Sequence, residues 1–217
     1  IPDAPTAADV AAAVALIDEM IADFPFEAQA DKANWVGLLI TAMIRHLIDA
    51  PVPVAIIDAP MPGTGKTLLA ELVSIVMTGR TAALAGMPRS EEELEKRITT
   101  QLHAGASLVV WDNIEATVRS ESLTRLVTST TWEGRLLGST TQLILDARAT
   151  WVLTGNNVTL GGDFARRCYR SRLDAGIAAP HERTNFLHAD LKRWVIENRG
   201  PIVAAVLTLV RSWMVAG

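Results

Sequence analysis

Apolar and polar positions along the chain fall into two periods that divide it into blocks. Val10, Val14, Ile17 and Ile21 recur at helical spacing, so residues 6–22 read as a helix with Thr6 as N-cap and Phe24-Pro25 as its stop. A second helix is expected over 31–50, closed by Pro51 and Pro53. The short β-branched run 54–58 reads as a buried strand, and 66–79 as a helix. Ser90 followed by Glu91, Glu92 and Glu93 starts another helix over 90–101, because the carboxylates favour the positive helix end. Strands at 107–111 and 150–153 flank a helix over 120–131 and a hairpin over 135–145 centred on Gly138. Helices over 190–198 and 201–216 close the chain, with Pro201 in a permitted first turn. Apolar strands alternating with helices imply an α/β fold with a parallel sheet covered on both faces, a three-layer α/β/α arrangement. The expected division is an N-terminal helical segment over 1–50, a core over 51–175 and a C-terminal helical segment over 176–217.

Composition narrows this picture. At 217 residues and 49% hydrophobic, the chain can bury a sizeable core. Its net charge of -4 excludes an overall basic surface, so any nucleic-acid contact must come from a local patch. Cys168 is the single cysteine; no internal disulfide can form, and a reducing cytoplasm fits best. A mean hydropathy of +0.24 raises the question of a membrane. The longest candidate, "GPIVAAVLTLVRSWMVAG", is interrupted by Arg211, and its uncharged part falls short of the roughly 18–20 residues a span needs. A buried core helix is expected there, and no membrane partner. The N-terminus has no basic-then-apolar signal pattern and no Met, so the expectation is a domain of a longer protein.

The chemistry is carried by three stretches at the ends of expected strands. In "AIIDAPMPGTGKTLLAEL" an apolar strand enters a loop of small residues and leaves in a helix. Such a loop turns consecutive backbone N–H groups inward on phosphate oxygens. Pro62, Gly63, Thr64, Gly65, Lys66, Thr67 and Leu68 are the expected phosphate-binding residues. Lys66 would place its ammonium on the β- and γ-phosphates, and Thr67 its hydroxyl on Mg²⁺. Pro60 stands where the usual pattern has its first glycine. That glycine mainly opens the turn, and the fixed φ of proline can also do so.

In "SLVVWDNIEA" an apolar strand delivers Asp112 to the edge where ligands gather in open α/β sheets. There it can hold Mg²⁺ opposite Thr67. The next position, where hydrolysing enzymes usually carry Glu, is Asn113, which can orient a water but cannot accept its proton. Glu115 is an alternative base. In "TWVLTGNNVTLGGDFARRCYRSRLD" a strand ends in Asn156 and Asn157, either of which could sense a γ-phosphate. Arg166, Arg167, Arg170 and Arg172 follow; guanidinium groups can stabilise charge on a transferring phosphoryl group, or simply form a salt-bridged surface.

Together "APMPGTGKT", "WDNIE", "WEGRLLGSTT", "TGNN" and "GDFARRCYRSRLD", in that order, resemble the P-loop ATPases of the AAA+ class. More closely they resemble the superfamily 3-like helicase domains joined to primase-polymerases in phages and integrated elements. The resemblance spans about residues 53–193 and implies ATP and Mg²⁺ as cofactors. It implies Asn156 or Asn157 as the sensor asparagine and Arg167 as an arginine finger, with Arg166 and Arg172 as alternatives. Relatives of this kind tolerate Asn after the Asp of the second motif. The resemblance further implies a head-to-tail ring, six subunits being usual, whose ATP sites are shared between neighbours. It places a hairpin, 135–145, against single-stranded DNA, although Arg135 is the sole charge near its start. Trp132 and Trp151 could stack bases, but their apolar surroundings favour core packing.

The expected function is therefore an ATP-driven DNA helicase or translocase for replication of a phage or mobile element, in a bacterial host's cytoplasm. The competing reading is an ATP-dependent switch, such as a replication initiator or helicase loader, with slow hydrolysis. A small-molecule kinase lacks a second acceptor motif. Arg183 in "PHERTNF" is a further residue that could reach the nucleotide.

Overall fold

The computed structural model describes residues 1–115, 117–135, 141–177 and 180–217. Two helices, α1 (Ala7–Ile21) and α2 (Gln29–Ile44), precede the first strand, β1 (Val54–Ala59). Next come α3 (Lys66–Thr78), β2 (Leu84–Ala85), α4 (Glu91–His103), β3 (Leu108–Ile114) and α5 (Glu121–Leu126). An antiparallel pair, β4 (Thr131–Arg135) and β5 (Gln142–Asp146), leads into β6 (Thr150–Asn156), a 3-10 turn (Gly162–Arg167) and β7 (Cys168–Arg172). The chain closes with α6 (Leu191–Glu197) and α7 (Arg199–Ala216).

Five strands form one parallel sheet in the order β2-β3-β6-β1-β7. Every residue of β1 is buried, because successive side chains feed opposite faces. Ala55 and Ile57 join α1, α2, α3 and α7 in one apolar cluster, while Val54 and Ile56 join α4, α5 and β4 in the other. The sheet is thus the middle of three layers, as the alternation of elements predicts. The N- and C-terminal helices lie together on one face: α1 packs along α7, α2 against β7, and α6 and α7 against α3.

The helix expected over 31–50 ends at Ile44, β2 was not expected, and three further differences concern α5, β7 and α7. The helix expected over 120–131 stops at Leu126, and Thr131 already belongs to β4. Residues alternate there: Trp132 and Gly134 face α4, while Thr131, Glu133 and Arg135 face outward. Trp132 donates its indole N–H to Thr99 at 2.9 Å. A methyl group on Gly134 would collide with Thr99 and Trp132. Gly134→Ala should lower stability by about 1–3 kcal/mol through overpacking, whereas Glu133→Ala should stay within about 0.5 kcal/mol; urea unfolding of both reads the difference. The hairpin turn, with Gly138, Ser139 and Thr140, lies outside the described residues.

Second, the basic segment that the sequence reading gave no element carries an edge strand, β7. Its polar side chains hide it from an apolarity scan, but α2 reads it directly. Asn34 donates to the Arg170 carbonyl at 2.6 Å, Ser171 donates to the Asp31 carbonyl at 2.8 Å, and Asp31 accepts from the Arg172 N–H at 2.8 Å. Third, α7 is not the buried core helix expected. It buries Ile202, Ala205, Val206 and Thr208 and leaves Trp213 76% exposed. Among the described residues it is the one helix long and apolar enough to cross a membrane by length and composition. Its charged positions are engaged in the protein: Arg199 caps the last carbonyls of α3, and Arg211 donates to Asp3 O at 2.7 Å.

Candidate nucleotide site

Strands β1, β3 and β6 end level at one edge of the sheet, with Asp58 beside Gly155 and Ala59 beside Asn156. That edge is where open parallel sheets hold ligands. The loop from β1 to α3 turns on two residues in the left-handed region, Gly63 at φ 78° and Gly65 at φ 95°. Both are glycines, so the loop forms without strain. A side chain at Gly65 would also meet the Phe24 ring at 2.8 Å. Pro60 carries no such demand. Its carbonyl accepts from the Asn157 side chain at 3.2 Å, and the Ala59 carbonyl accepts from the Asn157 N–H at 2.9 Å. Asn157, itself at φ 48°, thereby clips the loop entrance to the end of β6.

Helix α3 begins at Lys66 with Gly65 as its N-cap, aiming free N–H groups into the loop's concavity. The Lys66 ammonium donates to the Met61 carbonyl at 3.0 Å, Thr64 Oγ1 at 3.3 Å and Asn156 Oδ1 at 2.7 Å. Burial draws its pKa below the usual lysine value, while Asp58 and Asp112 favour the charged form. The arrangement is that of a cation held ready for an anion by neutral oxygens.

On the other side, Asp112 Oδ1 accepts from Thr67 Oγ1 at 2.8 Å and from the Thr154 hydroxyl. The pairing of β3 with β6 shifts register between Trp111 and Ile114, and Asn113 takes φ 59°. This bulge re-aims the strand end, as bulges beside functional sites do. The Asn113 side chain is turned outward and donates to Glu115 Oε1 at 2.9 Å, while its N–H donates to Thr154 Oγ1 at 3.2 Å.

Lys66, Thr67, Asp112 and Asn156 therefore converge, and the two asparagines left open by the sequence separate: Asn156 touches Lys66, whereas Asn157 positions the loop. Asp112 and Thr67 offer one carboxylate and one hydroxyl, a donor pair that Mg²⁺ accepts when phosphates and waters complete its octahedron. Among the described residues no group of three His, Cys, Asp or Glu could hold a metal independently.

The arginines divide as well. Arg172 binds Asp58, which is fully buried, and also Glu27 at 2.8 Å and Asn157 at 3.1 Å. Arg170 lies 3.5 Å from Asp58 and donates to Val158 O at 2.7 Å. Arg166 and Arg167 both pair with Asp163 ahead of β7. Because β7 runs parallel to β1 with Cys168 beside Val54, these two sit at the opposite edge from the chain's own phosphate loop. Arg167 and Arg172 are five positions apart along the strand, roughly 16 Å at about 3.3 Å per residue. The Cys168 thiol between these groups is pushed up to about 12 by burial and offers no thiolate.

Trp132 and Trp151 are core residues, 1% and 3% exposed, and Trp151 packs on Trp111 at 5.1 Å. The outward face of the hairpin carries Glu133 beside Arg135, and Gln142 donates to Glu133. Sequence reasoning missed Thr154, Asp58, Asp23 and Phe24. For the first two a signal was available: a polar residue inside an otherwise apolar strand.

No protein-family model and no curated protein matches the sequence. Solved structures do. The apo C-terminal region of NrS-1 superposes with a TM-score of 0.60 at 14% identity, covering 94% of this chain and 46% of that one. Its 305–718 segment gives a TM-score of 0.56 at 13% identity, over 90% and 44%. The likeness is one of fold: a mainly parallel sheet with flanking helices, consistent with a P-loop NTPase fold. JCV helicase is matched more loosely, with a TM-score of 0.48 at 14% identity over 95% of this chain and 54% of that one. The chain thus spans about half the length of the structures it matches. In the sheet β6 stands between the strand of the phosphate loop and the strand of Asp112, so Asn156 can touch the lysine of one and Thr154 the carboxylate of the other.

Proposed function

We propose that this chain is the ATP-hydrolysing motor of a DNA helicase or translocase that serves replication of a phage or mobile element in a bacterial cytoplasm. The observation that carries this reading is the convergence of Lys66, Thr67, Asp112 and Asn156 at one sheet edge. Gly63, Gly65 and the start of α3 hold the phosphates through backbone N–H groups. Lys66 neutralises the charge that grows on them, and Asn156 keeps its ammonium aimed. Thr67 and Asp112 hold Mg²⁺, which supplies further charge neutralisation at the transferring phosphoryl group. Arg167, with Arg166 beside it, acts as a finger on the nucleotide of a neighbouring copy. Its place at the edge remote from its own phosphate loop supports action in trans, and so a head-to-tail ring of six. Single-stranded DNA runs along the β4–β5 hairpin, with Arg135 as its contact in this reading.

One observation favours a slower, switch-like ATPase such as an initiator or loader. The residue after Asp112 is an asparagine whose amide is turned onto Glu115, so no carboxylate side chain directly follows Asp112.

The test is the ATP hydrolysis rate per subunit across a protein concentration series, with and without single-stranded DNA. The motor reading expects the rate to rise with both. Arg167→Ala and Lys66→Ala should each be inactive alone and regain activity when mixed, since one supplies the finger and the other the phosphate loop. A rate independent of concentration, with no recovery on mixing, rules out the shared site. Nucleotide binding without DNA-stimulated turnover or strand displacement selects the switch.

A further inference from the structure

Strands β3 and β6 pair in step from Leu108 with Thr150 to Trp111 with Leu153, and again at Ile114 with Gly155. Between these points Asp112 and Asn113 lie opposite Thr154 alone, two residues against one, which is the count of a β-bulge. The bulge is held from β6 in two ways. Thr154 Oγ1 accepts from the Asn113 N–H at 3.2 Å. A Cβ on Gly155 would stand 2.5 Å from the Ile114 carbonyl oxygen, so the strands close on each other there with no room for a side chain. Asn113 is kept at φ 59°, a left-handed conformation uncommon for a residue other than glycine.

Thr154 is fully buried, and its hydroxyl carries one proton. A backbone N–H only donates, so the Thr154 oxygen is the acceptor toward Asn113. Its proton is left for Asp112 Oδ1, which also takes the Thr67 hydroxyl at 2.8 Å. Both hydroxyls fall on one carboxylate oxygen, and among the described residues Oδ2 accepts no hydrogen bond. Thr150 stands in the same strand, equally buried, and its hydroxyl has no partner among the described residues. A buried threonine in β6 is therefore not bound to serve a neighbour, and the one at the bulge serves two.

We infer that Thr154 is a positioning residue for Asp112, whose carboxylate it orients directly through Oδ1 and indirectly by holding the Asn113 bulge. The inference rests on the nucleotide-binding reading above, in which Asp112 and Thr67 hold Mg²⁺. Thr154 acts through Asp112 and not on the nucleotide itself. A group that hydrogen-bonds a metal-binding carboxylate fixes its direction, and its loss typically costs about ten- to a hundredfold in metal affinity. Thr154 and Asn156 also share one face of β6, so a single strand end orients the carboxylate on one side and the Lys66 ammonium on the other.

The experiment measures the affinity of a non-hydrolysable ATP analogue by titration calorimetry on the full chain, once with Mg²⁺ and once with EDTA. The ratio of the two affinities is the gain that Mg²⁺ confers. Thr154→Val keeps the shape and removes the hydroxyl; it should cut that gain about tenfold or more and leave the affinity in EDTA within about twofold. Thr154→Ser keeps the hydroxyl and should retain the gain. Thr150→Val, the same change at the unpartnered hydroxyl, should not alter it. In an Asp112→Asn background Thr154→Val should add no further loss, because the carboxylate it orients is already gone. The urea midpoint reports folding, and Thr154→Ala takes the place of Thr154→Val in the series if the latter does not fold. The inference is overturned if the variant lacking the hydroxyl keeps the Mg²⁺ gain or loses affinity equally in EDTA. It is overturned too if Thr154→Ser or Thr150→Val loses the gain as fully, or if the loss persists undiminished in the Asp112→Asn background. A parent chain that binds the analogue equally well with and without Mg²⁺ also overturns it, while leaving the phosphate loop reading intact. A parent that binds no analogue overturns both.

Discussion

Lys66→Ala should lower the rate of ATP hydrolysis about a hundred- to thousandfold, the loss typical of removing one preorganised charge-stabilising donor, while the protein stays folded. Lys66 is 8% exposed, and the partners of its ammonium are two neutral side-chain oxygens and a backbone carbonyl. In the absence of nucleotide it therefore sits in a site that desolvates it, and burial lowers its pKa. Taking away a cation whose charge is penalised by burial should not destabilise the fold. Asn156, Thr64 and the Met61 carbonyl all border the open concavity, so water can replace the lost donor. The two readouts are kcat and the urea midpoint. A large fall in kcat with an unchanged midpoint assigns Lys66 to catalysis. Hydrolysis that survives the substitution removes the phosphate loop from the chemistry, and a fall in the midpoint of several kcal/mol equivalent makes Lys66 a structural residue instead.

Much of this site could be read from the sequence because its parts are local. Gly63, Gly65, Lys66 and Thr67 lie within five residues, and their meaning depends on a strand before and a helix after, both visible as periodicity. Asp112 and Asn156 are at strand ends, which the strands' apolar runs reveal. The core sheet was legible for the same reason: β1, β3 and β6 are buried on both faces over most of their length and are therefore mainly apolar.

What failed to show was pairing across long separations. β7 carries Arg170 and Arg172 and has no apolar run, so nothing local marks it as a strand; its place is fixed by β1 on one side and by Asp31 and Asn34 on α2, more than a hundred residues earlier. Likewise Arg183 donates to Asp23 at 2.6 Å across 160 residues, and only the packing of α1 on α7 and of α6 on α3 brings those segments together. The length of α5 was misjudged because a polar, β-branched stretch suits an exposed helix end and a half-buried strand alike, and the contact of Trp132 with Thr99 decides it.

Arg172→Ala should cost about 3–5 kcal/mol of stability, the range for stripping the partner from a buried charge. Asp58 is fully buried and accepts from the Val158 N–H at 2.9 Å, leaving its other oxygen to Arg172. Arg170 stays 3.5 Å from that same oxygen and offsets part of the loss, so the lower end of the range is expected. Arg172→Lys keeps a charge but cannot span Glu27, Asp58 and Asn157 together, and should fall between. The double variant Asp58→Ala with Arg172→Ala removes the orphaned charge and should be less destabilised than the sum of the singles. The same substitutions decide whether Arg172 acts on a neighbour's nucleotide. A finger acting in trans would leave stability intact and would be rescued by mixing with Lys66→Ala. A residue that holds its own loop entrance, through Asn157 and the Pro60 carbonyl, would not be rescued, because each defective subunit carries the defect in its own site. The geometry commits Arg172 to the second outcome, so in the proposed ring Arg166 and Arg167 are the arginines expected to reach a neighbour's nucleotide.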